Sequence, residues 1–149
     1  MNTLPHLAGA ALVLALAGVA HADGLLKPGA GGDFLKVDEA FELQPLFWRE
    51  DGTVEVSWRI AKGYYLYRDK LKFAADGPAP KLGAPALPKS EPYEDEHFGK
   101  VQIYRDDLFV RLPLAGKPPA RLRLQVTYQG CADAGLCYPP QTRTLEATR

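Results

Sequence analysis

The sequence predicts an all-β fold, an antiparallel sandwich, and three observations carry the prediction. Apolar and polar residues alternate with a period of two in several short runs. Turn signals separate those runs. Nothing beyond the first 22 residues shows a sustained period of 3.6. Short half-buried strands joined by turns pack as two layers, here of immunoglobulin-like type. The widely spaced Cys…Trp…Cys pattern of antibody domains is missing, so a disulfide is not expected to pin one sheet to the other.

Taken in order, residues 1–22 read as a cleaved signal peptide. Residues 7–19 are apolar, and Ala20-His21-Ala22 is a small-x-small cleavage signal. The apolar run is too short for a comfortable membrane span. Residues 1–5 hold no Lys or Arg, so only the amino terminus supplies the positive end. No cysteine follows the cleavage signal, which argues against a lipoprotein. Residues 23–32 are Gly-rich and read as a flexible leader, which leaves 33–149 as one domain. Within it, residues 53–60 and 121–128 alternate almost without fault, and Leu108, Val110, Leu112 and Leu114 share one face of 107–114. Glu50-Asp51-Gly52 and Ala115-Gly116-Lys117-Pro118-Pro119 are the turns between strands. Residues 75–100 carry Pro78, Pro80, Pro85, Pro88 and Pro92 and then Glu91, Glu94, Asp95 and Glu96, and read as one long functional loop.

Composition excludes several classes. Lys plus Arg total 18 and Asp plus Glu total 18, so no charge imbalance points to nucleic acid or an anionic membrane. Beyond the leader the only histidine is His97 and the only serines are Ser57 and Ser90, without a G-x-S-x-G, so a nucleophilic hydrolase is disfavoured. Met1 is the sole methionine, which argues against a thioether copper site. No Gly-rich phosphate loop follows a strand, and no second ligand pair accompanies the cysteines to make a zinc site. No metal and no organic cofactor are expected.

The chemistry concentrates in Tyr128-Gln129-Gly130-Cys131-Ala132-Asp133-Ala134-Gly135-Leu136-Cys137-Tyr138-Pro139-Pro140, which holds both cysteines of the chain. Export would place them where disulfides persist. A bridge between them would close a small loop worth about 2–2.5 kcal/mol, a modest staple. Glycines at 130 and 135 allow tight turns, and the two prolines stiffen the exit. The spacing is not C-x-x-C. Two readings stay open on spacing alone: an accessible redox pair near a hairpin tip, or a structural bridge in a non-catalytic exported binding module.

This string resembles the N-terminal periplasmic domain of the thiol:disulfide interchange protein DsbD. Residues 63–68 (Gly-Tyr-Tyr-Leu-Tyr-Arg), 93–100 (Tyr-Glu-Asp-Glu-His-Phe-Gly-Lys) and 103–106 (Ile-Tyr-Arg-Asp) resemble it too, in the same order. The resemblance spans about 33–145 and also implies an immunoglobulin-like sandwich. It implies a protein-disulfide reductase activity, in which Cys137 exchanges with the partner's sulfur and Cys131 resolves the mixed disulfide. The disulfide Cys131–Cys137 would carry both electrons. Asp95 and Glu96 match acidic positions of a cap loop over the cysteines, where negative charge holds down thiolate formation. Phe98 and His97 match the cap tip, His97 departing from the aromatic usual there. Tyr65 and Tyr67 match tyrosines beside the cysteines, and Tyr138 is expected against the disulfide or the docking partner.

The implied partners are periplasmic thioredoxin-fold proteins, among them a disulfide isomerase and a cytochrome c maturation thioredoxin. The implied electron donor is a membrane transporter or a thioredoxin-like dithiol. DsbD-type proteins continue into a multi-helix membrane domain and a thioredoxin-like domain. The alternatives here are a standalone domain served by separate partners and a truncated reading frame.

Overall fold

The computed structural model describes residues 33–77 and 81–149. The expected signal peptide and leader lie outside the described residues. The chain opens with a single helical turn, α1 (Val37–Ala40), which leads into β1 (Phe41–Leu43), β2 (Phe47–Trp48), β3 (Val54–Ile60) and β4 (Tyr64–Tyr67). A 3-10 turn at Arg68–Lys70 precedes β5 (Lys72–Ala75) and β6 (Lys81–Leu82). Then come β7 (Glu91–Asp95), β8 (Gly99–Tyr104), β9 (Asp107–Leu112) and β10 (Leu114–Ala115). The last three are β11 (Arg121–Tyr128), β12 (Gly130–Ala132) and β13 (Gln141–Thr148).

All ladders are antiparallel, as the alternation predicts. β3 pairs with β1 and β2 along one edge and with β9 along the other. The order β13-β11-β5 makes a second sheet, β12-β4-β8-β7 a third, and β10 with β6 a small ribbon. The inward residues Val54, Val56, Trp58 and Ile60 of β3, Leu108, Val110 and Leu112 of β9, and Leu122, Leu124, Val126 and Tyr128 of β11 belong to one buried cluster. Each such side chain contributes roughly 1.5–3 kcal/mol when taken from water. The turn at 50–52 forms with Gly52 at φ 80°, a backbone that L side chains rarely adopt. Pro113 ends β9, so Leu114 leaves the face it was expected to share and pairs with Leu82 instead.

One correction concerns residues 75–100. They are not one long loop: β6 lies within them, and β7 with β8 forms a hairpin whose turn is Glu96-His97-Phe98. Pro92 is compatible with this strand because β7 is the outer strand of its sheet and needs hydrogen bonds on one side only. The acidic residues hid the alternation, since the inward place on β7 that usually holds an apolar residue is taken by Asp95.

The β12-β4-β8-β7 sheet positions the site. β11 runs on through Gln129 into β12, and β4 runs on through the 3-10 turn into β5, so the two sheets are continuous at a kink. The Tyr67 N–H donates to the Gln129 carbonyl there, at 3.0 Å. One face of the sheet presents Tyr64, Leu66, Tyr104 and Ala132 to the main core. The other face presents Tyr65, Tyr67, Ile103 and Cys131, which make a small second core with Tyr93, Val101 and Cys137.

Candidate active site

Cys131 and Cys137 form a disulfide with Cα atoms 4.0 Å apart. Cys131 sits in the middle of β12, opposite Tyr65 of β4. Cys137 faces Cys131 as a single antiparallel bridge and begins no strand; the next strand starts at Gln141. The turn between them is tight. The Ala132 N–H donates to the Leu136 carbonyl (2.7 Å), the Gly135 N–H to the Ala132 carbonyl (2.9 Å), and Gly135 has φ 97°. The pair is less open than expected of a hairpin tip. Cys131 is completely buried, and only Cys137 is partly exposed.

The two faces of β4 explain the burial. Tyr65 and Tyr67, two residues apart, point to the same side, towards the sulfurs. Tyr67 Oη lies 2.9 Å from Cys131 Sγ and 3.7 Å from Cys137 Sγ. Its hydroxyl proton is committed elsewhere, to Asp95 Oδ2 at 2.7 Å, and the Tyr65 hydroxyl donates to the same oxygen. The other carboxylate oxygen accepts the backbone N–H groups of His97 (2.8 Å) and Phe98 (2.9 Å). Asp95 thus holds the hairpin turn with one oxygen and the tyrosines with the other. An Asp95 carboxylate oxygen and both sulfurs lie within 4.8 Å of one another.

Burial disfavours the charged form of Asp95, but the bonds from Tyr65, Tyr67, Phe98 and His97 outweigh it and hold the carboxyl below its ordinary value. Burial first, and then the bond to this carboxylate, push the Tyr65 and Tyr67 phenols well up, so both remain donors. Asp95 is therefore a fixed negative charge beside the sulfurs. Replacing it with Asn is expected to speed alkylation of the reduced protein near neutral pH, because less negative charge favours the thiolate. Measured rates equal to wild type from pH 6 to 9 would show that the charge does not act on the sulfurs. The same carboxyl stabilises the fold at pH values above about 4, and this contribution is lost as pH falls through its lowered folded-state value.

The remaining candidates separate. The Phe98 ring stands edge-on to Tyr67, centroids 5.1 Å apart, and Lys70 Nζ lies over it, 4.6 Å from its centre. It is 46% exposed, so it covers the tyrosine without joining the core. Glu96 and His97 are exposed and line a crevice of about 30 Å³ together with Cys137 and Tyr93. His97 reaches Asp95 through its backbone. Tyr138 is not at the disulfide. Neighbouring residues of an extended chain point to opposite sides, so Tyr138 turns to the main core. Its ring lies 5.5 Å from that of Phe41 and 6.3 Å from that of Tyr64, and its hydroxyl donates to the Leu35 carbonyl.

Two site residues escaped sequence reasoning. Tyr93 lies 5.0 Å from Tyr65, ring to ring. Arg105 lies over both of those rings and forks onto Asp133 in the cysteine turn. Tyr93 stands two residues before Asp95, a period-two signal that the acidic neighbours obscured. Arg105 lies in the 103–106 string that carries the resemblance, yet no periodicity points a lone arginine after a strand at the cysteines.

Residues 32–149 match the family model described as "Thiol:disulfide interchange protein DsbD, N-terminal". The chain is 41% identical over 116 residues to the thiol:disulfide interchange protein DsbD of Vibrio vulnificus, covering 78% of this chain and 19% of that protein. It is 44% identical over 142 residues to DsbD 2 of Pseudomonas aeruginosa, covering 91% and 22%. The chain thus spans about a fifth of the length of these relatives. Among solved structures it is similar to the Neisseria meningitidis DsbD N-terminal domain in the reduced form, with a TM-score of 0.71 and 38% identity, covering 78% of this chain and 91% of that one. It is also similar to that species' DsbD N-terminal domain in complex with the PilB N-terminal domain, with a TM-score of 0.66 and 38% identity, covering 76% and 87%.

Proposed function

The chain belongs to the family of the N-terminal domain of the thiol:disulfide interchange protein DsbD, and from that membership we propose that its Cys131–Cys137 pair relays electrons between proteins in the periplasm, acting as a protein-disulfide reductase. The observation that carries the reading is the asymmetry of the bridge: Cys137 is partly exposed, while its mate Cys131 is completely buried against Tyr67. A structural staple needs no such asymmetry.

The residues divide the work. A donor thiolate attacks Cys137 Sγ, because Cys137 is the partly exposed member of the pair and Cys131 is buried. The Cys131–Cys137 bond breaks and Cys131 leaves with the electron pair, then takes a proton. The donor's second thiolate attacks the mixed disulfide, so the donor ends as a disulfide and the domain as a dithiol. In the second half, the Cys137 thiolate attacks the acceptor's disulfide. Cys131 loses its proton and attacks Cys137 Sγ, which releases the acceptor as a dithiol and restores the bridge. Since Tyr67 gives its proton to Asp95, its oxygen is free to accept the S–H of reduced Cys131. That bond favours the neutral thiol between turnovers. The Phe98 ring, set edge-on to Tyr67, shields the Cys131 side of the dithiol from small oxidants in the meantime.

The proposed acceptors are thioredoxin-fold proteins of the periplasm, such as a disulfide isomerase and a cytochrome c maturation thioredoxin. The Neisseria complex of a DsbD N-terminal domain with a PilB N-terminal domain supports a protein partner for this chain. The proposed donor is a membrane electron transporter or a thioredoxin-like dithiol, with export through the expected signal peptide at 1–22. Among the described residues no helix is long and apolar enough to cross a membrane.

Mixing the reduced protein with an oxidised thioredoxin-fold protein and trapping free thiols over time tests the reading. Two thiols are expected to vanish from this chain for each two gained by the acceptor. A bridge that forms no such exchange, with a potential below roughly −300 mV, would identify a structural disulfide in a binding module.

A further inference from the structure

Arg105 lies outside the sulfur, tyrosine and carboxylate set, yet it joins three parts of the site. Its Nη1 and Nη2 donate to Asp133 Oδ2 and Oδ1 at 3.0 and 2.8 Å, a bidentate fork onto the first exposed residue of the cysteine turn. Its guanidinium carbon is 5.2 Å from the Tyr65 ring centre and 5.4 Å from that of Tyr93. Nη1 also reaches the Tyr64 carbonyl at 3.4 Å. The bond to Asp133 raises the Arg105 pKa most; partial burial opposes this, and the charge of Asp133 and then of Glu91 adds to the rise, so the guanidinium stays protonated.

The placement matters because of what happens when the bridge opens. Cys131 stays fixed in β12, paired to β4. Cys137 lies in no strand; on its C-terminal side the Tyr138 N–H donates to the Gly130 carbonyl at 3.0 Å, and on its N-terminal side its place is set by the turn that begins at Ala132. Asp133 is where that turn meets the rest of the sheet. Its N–H donates to the Gly63 carbonyl at 2.8 Å, and its carboxylate takes the Arg105 fork. Arg105 directly follows β8, the strand that forms the returning arm of the cap hairpin.

We propose that Arg105 is a positioning residue for the exchange reaction: through Asp133 it holds the cysteine turn against the cap hairpin and the Tyr65–Tyr93 pair, so that Cys137 remains within reach of Cys131 after the disulfide is reduced. This rests on the exchange function proposed above. Holding two reacting groups together raises their effective concentration, and here that is the concentration of Cys131 thiolate at a Cys137 mixed disulfide. The fork geometry makes arginine the required cation, because a lysine ammonium neither binds bidentately nor lies flat over two rings.

The test uses glutathione and dithiothreitol, so that it does not depend on any protein partner. Arg105→Gln and Asp133→Asn are each expected to shift the dithiol–disulfide equilibrium towards the dithiol by about fivefold, the size of a partly exposed ion pair. Expulsion of glutathione from Cys137 by Cys131 should slow by a similar factor, while the first attack of glutathione on Cys137 does not slow. The double variant should be no worse than either single one, and Arg105→Lys should recover less than half of the loss. Unchanged equilibrium and expulsion rate in folded Asp133→Asn, which leaves the arginine over its rings, would overturn the proposal. So would a double variant in which the two effects add. If wild type fails to reduce any thioredoxin-fold protein yet the variants behave as stated, the exchange function falls and the positioning role stands.

Discussion

Cys131→Ala is expected to accumulate a stable mixed disulfide with an oxidised thioredoxin-fold partner, and Cys137→Ala is expected to form almost none. The difference follows from exposure. Cys137 is partly open beside the crevice at the cap, whereas Cys131 is completely buried under Tyr65 and Tyr67. With Cys131 removed, Cys137 attacks and nothing resolves the product. With Cys137 removed, Cys131 reaches a partner only when the cap hairpin and the cysteine turn open together. A local opening of about 3 kcal/mol makes the competent form scarcer by a factor of about 150. Trapping rates measured by gel shift against the same partner should therefore differ by about two orders of magnitude. Equal rates would reverse the assignment of attacking and resolving sulfur.

Gly130→Ala should damage the whole domain. A methyl group at this position would lie 2.3 Å from the Tyr65 carbonyl oxygen and 2.6 Å from Phe41 Cζ. Neither neighbour yields readily. The carbonyl belongs to the backbone of β4, and Phe41 is packed edge-on among Tyr64, Tyr128 and Tyr138. Overpacking of a close-packed interior typically costs about 1–3 kcal/mol, and a backbone contact this short lies at the upper end. A loss of about 3 kcal/mol lowers the melting temperature of a domain of this size by roughly 10 °C or more. Thermal unfolding followed by circular dichroism measures it. A shift of less than about 3 °C would mean that β12 and β4 separate at little cost.

The strands at 53–60 and 121–128 were legible because each buries one face only, so the code of two is written in plain apolar and polar residues. The register of 107–112 was legible for the same reason, up to Pro113. β7 was not. Its inward residues are Tyr93 and Asp95, and a buried carboxylate looks like a solvated one until its four donors are known. The cysteines were evident from their string, but their unequal exposure depends on the cap hairpin, which is remote in sequence. Of the two places expected for Tyr138, the disulfide is not the one its ring takes, because an extended chain turns neighbours such as Cys137 and Tyr138 to opposite sides. Arg105 and Asp133 stand 28 residues apart, and neither residue type carries a pattern that links them.

The two oxygens of Asp95 have a mechanical consequence. Oδ1 is bound to the hairpin tip and Oδ2 to the phenols over the sulfurs, so the carboxylate works like the pivot of a lever. Lifting the tip therefore costs two N–H bonds to the same residue that carries both phenols, so hairpin turn and tyrosine pair are fastened at one point rather than two.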